Sequence, residues 1–324
     1  MSSHPRLWKW LRRGVNLLFL VLVPVLLVML LRNMDWQEVG HALRAYPWPL
    51  LAAGAGIALL SYGVFASYDL LSRRYTGHRL PARQVLPLAF VCYAFNLNLS
   101  SWVGGIALRY RLYGKLGLDV PTITKILSLG LVTNWLGYLL LGGVVFAAGL
   151  PPLPDSVKMG QDGLCLIGVA MLLAGAAYLL ACAFATRRTW HIRQQAITLP
   201  GVRLALAQAL LGALNWSLMA ALIYLLLPAK VGYPTVLAIL LISSIAGVIT
   251  HIPAGLGVLE AVFMSLLQGQ YSKGTLLAAL LGYRALYFLL PLLMACVAYL
   301  WLERRARAVT RPAPPAPARS GPAR

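Results

Sequence analysis

The chain is short of charge, and of negative charge above all. Only 11% of its 324 residues are charged, and just 8 are Asp or Glu against 28 Lys and Arg. Soluble domains carry about 25% charged residues, so there is too little here to cover a water-facing surface. Cysteine is scarce as well. Cys92, Cys165, Cys182 and Cys296 all fall in apolar segments, with no CxxC spacing. That pattern excludes a disulfide framework and offers no metal site; small buried side chains explain it. No Ser/His/Asp constellation, metal-ligand cluster or soluble catalytic domain is visible. The expectation is therefore a protein without cofactor or metal, and not an enzyme.

What is present is apolar surface. Hydrophobic residues make up 60% of the chain and the mean hydropathy is +0.75, which predicts an all-α polytopic membrane protein. The net charge of +20 is distributed in short basic runs between apolar segments. Such runs orient helices and meet anionic lipid headgroups, so nucleic acid is not an expected partner. Arg6, Lys9, Arg12 and Arg13 precede an apolar run at 15–31. The run is long and ends without a small-residue cleavage site, so it reads as a retained signal-anchor helix.

Apolar helices are expected at 15–31, 50–71, 126–149, 164–184, 204–227 and 275–301. Two further stretches are broken. The first, 85–118, is interrupted by Asn96, Asn98, Ser100, Ser101, Gly104 and Gly105. The second, 236–268, has 33 residues and is interrupted by His251-Ile252-Pro253-Ala254-Gly255-Leu256-Gly257, with Glu260 just beyond. A bilayer core about 30 Å thick needs roughly 20 residues for one crossing, so 33 is too many for one and too few for two. Proline and glycine break the helix, and broken backbone at membrane depth needs protein or water around it.

The positive-inside rule decides how these stretches lie. If 85–103 crossed, the basic segment with Arg109, Arg111 and Lys115 would fall outside and the acidic loop 150–163 inside. If 85–118 dips in from the cytoplasm and returns, the basic loops 1–14, 72–84, 185–203 and the tail are all cytoplasmic. The stretch 236–268 then dips in from the opposite face. A gapless shift of 151 residues superimposes the two halves, setting Gly104-Gly105 on Gly255-Leu256 and Arg109 on Glu260. The expected organisation is a basic cytoplasmic N-terminus (1–14), a first membrane repeat (15–150), an outer connecting loop (151–163), a second, inverted repeat (164–302) and a disordered basic tail (303–324). Each repeat holds three spanning helices and one re-entrant hairpin, a plan with its site at the midplane.

Each return helix begins at its glycines, so its N-terminus carries free N–H groups and the positive end of the dipole. Gly104, Gly105, Pro253, Gly255 and Gly257 therefore form two candidate phosphate cradles, although short glycine breaks also serve plain packing. Glu260 needs a partner or water at this depth. It reads either as a coupling switch or headgroup contact, or as half of a structural ion pair. Arg109 either approaches Glu260 or snorkels at the cytoplasmic edge. Arg284, deep in the last helix, either neutralises Glu260 or takes a ligand phosphate in its planar fork. Asn96, Ser100, Asn134, His251 and Tyr283 complete the candidate cavity lining; hydrogen bonding between helices is the plainer reading for Asn134 and Asn215.

Four segments, FNLNLSSWVGGIALRYRLYGKLG (95–117), TNWLGY (133–138), SSIAGVITHIPAGLGVLEAVF (243–263) and YRALYFLLP (283–291), carry a resemblance. Over residues 1–305 the chain resembles a bacterial flippase-like family related to the transmembrane half of lysyl-phosphatidylglycerol synthases. The family's Pro-x-Gly-x-Gly-x-x-Glu motif and last-helix Arg match Pro253, Gly255, Gly257, Glu260 and Arg284. Its first-half motif usually has a proline before the glycines, where this chain has Trp102-Val103-Gly104-Gly105. The synthases' soluble transferase domain has no counterpart here. The resemblance implies a bacterial inner-membrane protein that moves or binds a phospholipid or another lipid-linked anion. Two other readings stay open: a non-transporting partner of a lipid-synthesis or envelope complex, and an intramembrane lipid-modifying enzyme. Partners are membrane lipids, with a second copy of the chain or a lipid-synthesis protein as further classes.

Overall fold

Proline and glycine set most of the element boundaries. Helix α1, Trp48–Thr76, opens after Pro47 and closes at Gly77, whose φ of +74° is the left-handed turn that glycine adopts freely. Helix α2, Ala82–Asn98, opens after Pro81. A widened turn at 105–107 leads into the short α3, Leu108–Lys115. Helix α4, Val120–Ala147, starts with Pro121 in its first turn, where the missing N–H is harmless. Helices α5, Gly160–Phe184, and α6, Val202–Leu226, follow. Then come α7, Tyr233–Thr250, and α8, Val258–Leu267. Ser272 caps α9, Lys273–Tyr283, by accepting the Thr275 N–H at 3.2 Å. A π-helical turn, Arg284–Leu289, joins α9 to α10, Leu290–Val309.

This computed structural model describes residues 37, 41, 43, 44, 46–99, 105–150, 160–185, 189–192, 195–250 and 257–309. The expected helix 15–31, the two break tips with Ser100, Gly104, His251, Pro253 and Gly255, and the tail from 310 lie outside the described residues. Among the described residues six helical stretches are long and apolar enough to cross a membrane: Trp48–Thr76, Val120–Ala147, Gly160–Phe184, Val202–Leu226, Tyr233–Thr250 and Lys273–Leu302. Five coincide with expected crossings. Tyr233–Thr250, the first limb of the second broken stretch, meets the same length and composition standard.

Among the described residues the fold departs from all-α in one place. Within the expected basic loop 185–203, Thr189–Ile192 (β1) and Gln195–Thr198 (β2) pair antiparallel, with Thr189 opposite Thr198 and Trp190 opposite Ile197. Threonine, isoleucine and tryptophan favour the pleated state, and the segment is too polar to continue into lipid. The hairpin meets the end of α1, where the Tyr75 hydroxyl donates to the Thr198 carbonyl.

The core lies where α1 crosses α6 and α2, and where α4 packs on α5 and α6. Backbone contact at α4–α6 depends on paired glycines: a Cβ on Gly137 would stand 2.1 Å from the Gly212 carbonyl carbon. Small residues at crossings allow this approach between membrane helices. Helix α5 is peripheral, with Leu166, Leu173 and Phe184 exposed. Helices α7 and α8 pack on each other, as do α2 and α3.

Candidate functional site

Glu260 stands in the first turn of α8, three residues after Gly257. Gly257 has φ +78° with open space where a Cβ would be, so backbone conformation rather than crowding requires glycine there. Arg284 opens the π turn and grips Glu260 with both arms: Nε donates to Oε1 at 2.5 Å and Nη2 to Oε2 at 2.9 Å. The side chains are 4% and 13% exposed, and the guanidinium carbon lies 5.6 Å from the Phe288 ring centroid. A forked pair of this kind matches a planar guanidinium to a carboxylate, and equally to a phosphate. Of the two readings of Arg284, neutralising Glu260 is the one realised in this structure.

Arg109 does not pair with Glu260. Its partner is Asp69 of α1, with Nε donating to Oδ2 at 3.2 Å and Nη2 to Oδ1 at 3.1 Å. The Tyr113 hydroxyl donates to the same Oδ2 at 2.8 Å. Asp69 is 1% exposed and Arg109 7%, so this arginine is a buried partner and does not snorkel at the edge. Sequence reasoning missed Asp69, because 50–71 reads as plain apolar helix. The signal was there: a carboxylate inside a span requires a cation, and Arg109 is a deep one.

Buried aromatic and hydroxyl groups join the two ion pairs. The Arg109 guanidinium carbon lies 6.0 Å from the Phe65 ring centroid, and Phe65 stacks on Tyr93 at 3.5 Å and 8°. The Tyr93 hydroxyl meets that of Tyr287 at 3.0 Å, and Ser61 Oγ bridges Tyr287 and Asn215 Oδ1 at 2.8 Å each. Tyr287 stacks on Tyr283 beside Arg284. Tyr283 is thus buried in this stack. Asn215 makes the expected contact between helices, whereas Asn134 contributes its backbone carbonyl, to Trp216 Nε1 at 3.2 Å. Asn96 and Gly105 are brought together, since a Cβ on Gly105 would meet Asn96 Oδ1 at 2.5 Å. Among the described residues no group of three or more His, Cys, Asp or Glu side chains could hold a metal ion.

Comparison with known proteins agrees with a membrane protein. The chain is 51% identical over 307 residues to inner membrane protein YbhN of Escherichia coli, covering 94% of this chain and 96% of that protein. It is 31% identical over 273 residues to an uncharacterised protein of Synechocystis, slr0712, covering 81% of this chain and 82% of the other. The profile of the lysylphosphatidylglycerol synthase TM region matches residues 16–295. With nearly the whole membrane portion matched, the chain belongs to the lysylphosphatidylglycerol synthase transmembrane-region family.

Proposed function

We propose that this protein moves a phosphate-bearing lipid between the leaflets of the bacterial inner membrane, holding the headgroup at the Glu260–Arg284 pair. One observation carries the reading: a forked, buried ion pair at the start of a short helix that follows a break in an apolar stretch. Charges at this depth are expensive and tend to mark pathways or binding sites. A phosphate can replace the Glu260 carboxylate in the Arg284 fork by offering two of its oxygens to the same pair of N–H donors. The N-terminal end of the α8 dipole adds a partial positive charge nearby.

The reading includes two inverted repeats, each with a re-entrant hairpin. The element boundaries support it. Adding 151 to Ala82–Asn98 gives 233–249, against Tyr233–Thr250; adding it to Trp48–Thr76 gives 199–227, against Val202–Leu226. Leu108 goes to 259, one residue from the start of α8. At about 1.5 Å per residue α3 and α8 span roughly 12 and 15 Å, half a bilayer core, which suits limbs that turn back. In this topology both termini are cytoplasmic and the loops 228–235 and 269–274 are on the outside. Those two loops meet through Tyr271, whose hydroxyl donates to the Pro228 carbonyl at 2.6 Å. Gly105 and Gly257 line the headgroup path, with Asn96 and Asn134 beside it; Arg109 anchors the first hairpin through Asp69.

Purified protein in liposomes with a panel of labelled phospholipids tests the reading. Bilayer crossing is expected with the parent chain and is expected to be lost with Glu260→Gln or Arg284→Gln. If no lipid in a broad panel crosses, the proposal fails. A second reading, a non-transporting partner that docks through its cytoplasmic end, has support in the exposed Arg73, Arg74, Arg79, Arg83 and Lys115. There, loop-arginine variants would abolish the cellular phenotype while Glu260 and Arg284 variants left it intact.

A further inference from the structure

We propose that Tyr62 is a positioning residue that sets the aim of Arg284 by holding the π turn of the last membrane helix. The cause lies in the chain itself. Pro291 sits just beyond the turn. It has no N–H to give the carbonyl four residues back, that of Tyr287, and its ring crowds that carbonyl. The helix widens here, and the Leu290 N–H reaches back five residues to the Ala285 carbonyl. An α-helical donor for Tyr287 O is therefore missing in a region without water, where an unpaired carbonyl is costly. Tyr62 of α1 supplies the donor: its hydroxyl meets Tyr287 O at 3.0 Å, with the residue 0% exposed. Asn98 of α2 adds Nδ2 to the next carbonyl, Phe288 O, at 3.3 Å.

The register of that turn decides where Arg284 points. Returning the turn to α-helical spacing adds one residue's worth of rotation, about 100°, between Arg284 and the helix that follows. Such a rotation takes the guanidinium off Glu260. Tyr62 and Asn98 both belong to the first half of the chain, whereas Arg284 and Glu260 belong to the second. The first half therefore holds the second half's charge pair in place. Single π turns at functional sites are a recurrent device. The consequence for lipid movement rests on the proposed role of the Glu260–Arg284 pair; the positioning itself does not.

The test is a double-mutant cycle read as thermal midpoints of the purified full chain. Glu260→Gln and Arg284→Gln are made singly and together, in the parent and in Tyr62→Phe, which deletes only the hydroxyl. In the parent the two losses of Tm are expected to be non-additive, and in Tyr62→Phe at least half of that non-additivity disappears. Tyr93→Phe removes a hydroxyl of the same network that touches no π-turn carbonyl, and it leaves the non-additivity unchanged. Pro291→Ala restores an N–H to the helix, so the Tm loss from Tyr62→Phe shrinks to less than half in that background. Undiminished coupling in Tyr62→Phe, no coupling in the parent, or an unchanged penalty beside Pro291→Ala each overturns the proposal. In liposomes Tyr62→Phe is expected to slow lipid crossing several-fold. A parent chain that moves no lipid sinks the transport reading while the cycle still decides the role of Tyr62.

Discussion

At the residue scale two buried ion pairs, Asp69–Arg109 and Glu260–Arg284, stand out among the described residues. Buried pairs are poor sources of net stability but costly to break, because the remaining charge is left without a partner. Asp69→Asn or Arg109→Gln alone is expected to lose about 3–5 kcal/mol, and replacing both with apolar residues of similar size is expected to recover most of it. Thermal or denaturant unfolding of the purified protein checks this, and full additivity of the two single losses would contradict the pairing. Arg284→Lys keeps the charge but loses the fork, so lipid movement should fall while thermal stability drops only slightly.

At the element scale the notable feature is how helices start, stop and touch. Gly257 uses the left-handed conformation to begin α8, and an L side chain there costs about 1–2 kcal/mol, so Gly257→Ala should destabilise the protein by that amount. Gly137 and Gly212 allow α4 and α6 to meet at their backbones. Gly212→Leu is expected to force them apart, at about 1–3 kcal/mol or more, seen as a lower Tm. The corner between α1 and α2 carries a pH response. Burial, and then the charge of Arg73, hold His78 below its ordinary 6.5, and its Nε2 is buried without a partner. A lowered folded value means the neutral ring is favoured in the fold. Its contribution is complete above 6.5 and is lost as pH falls through the depressed value. Melting of the parent should show this slope, and His78→Phe should flatten it.

At the scale of the whole molecule, the proposed function depends on topology. If the two broken stretches enter from opposite faces, Arg79→Cys is labelled by impermeant reagents only from the cytoplasm, and Ser272→Cys only from outside. Labelling of both from one side would rule out the inverted arrangement. Much of the architecture was legible beforehand. Five expected crossings, the start of α8 after its break, and the Arg284–Glu260 alternative all have counterparts in the structure. The pairing of Arg109 with Asp69, the β1–β2 hairpin and the π turn did not emerge from hydropathy. Helix length and apolar content act within a few residues of chain, so the sequence alone determined the membrane class and the approximate placing of five apolar helices. Which charges meet depends on how far each helix is rotated about its axis. In lipid the outer and inner faces are both apolar, so no polar stripe records that rotation. Only the packing of α1 against the chain around Arg109, and of the last helix against α8, decided it.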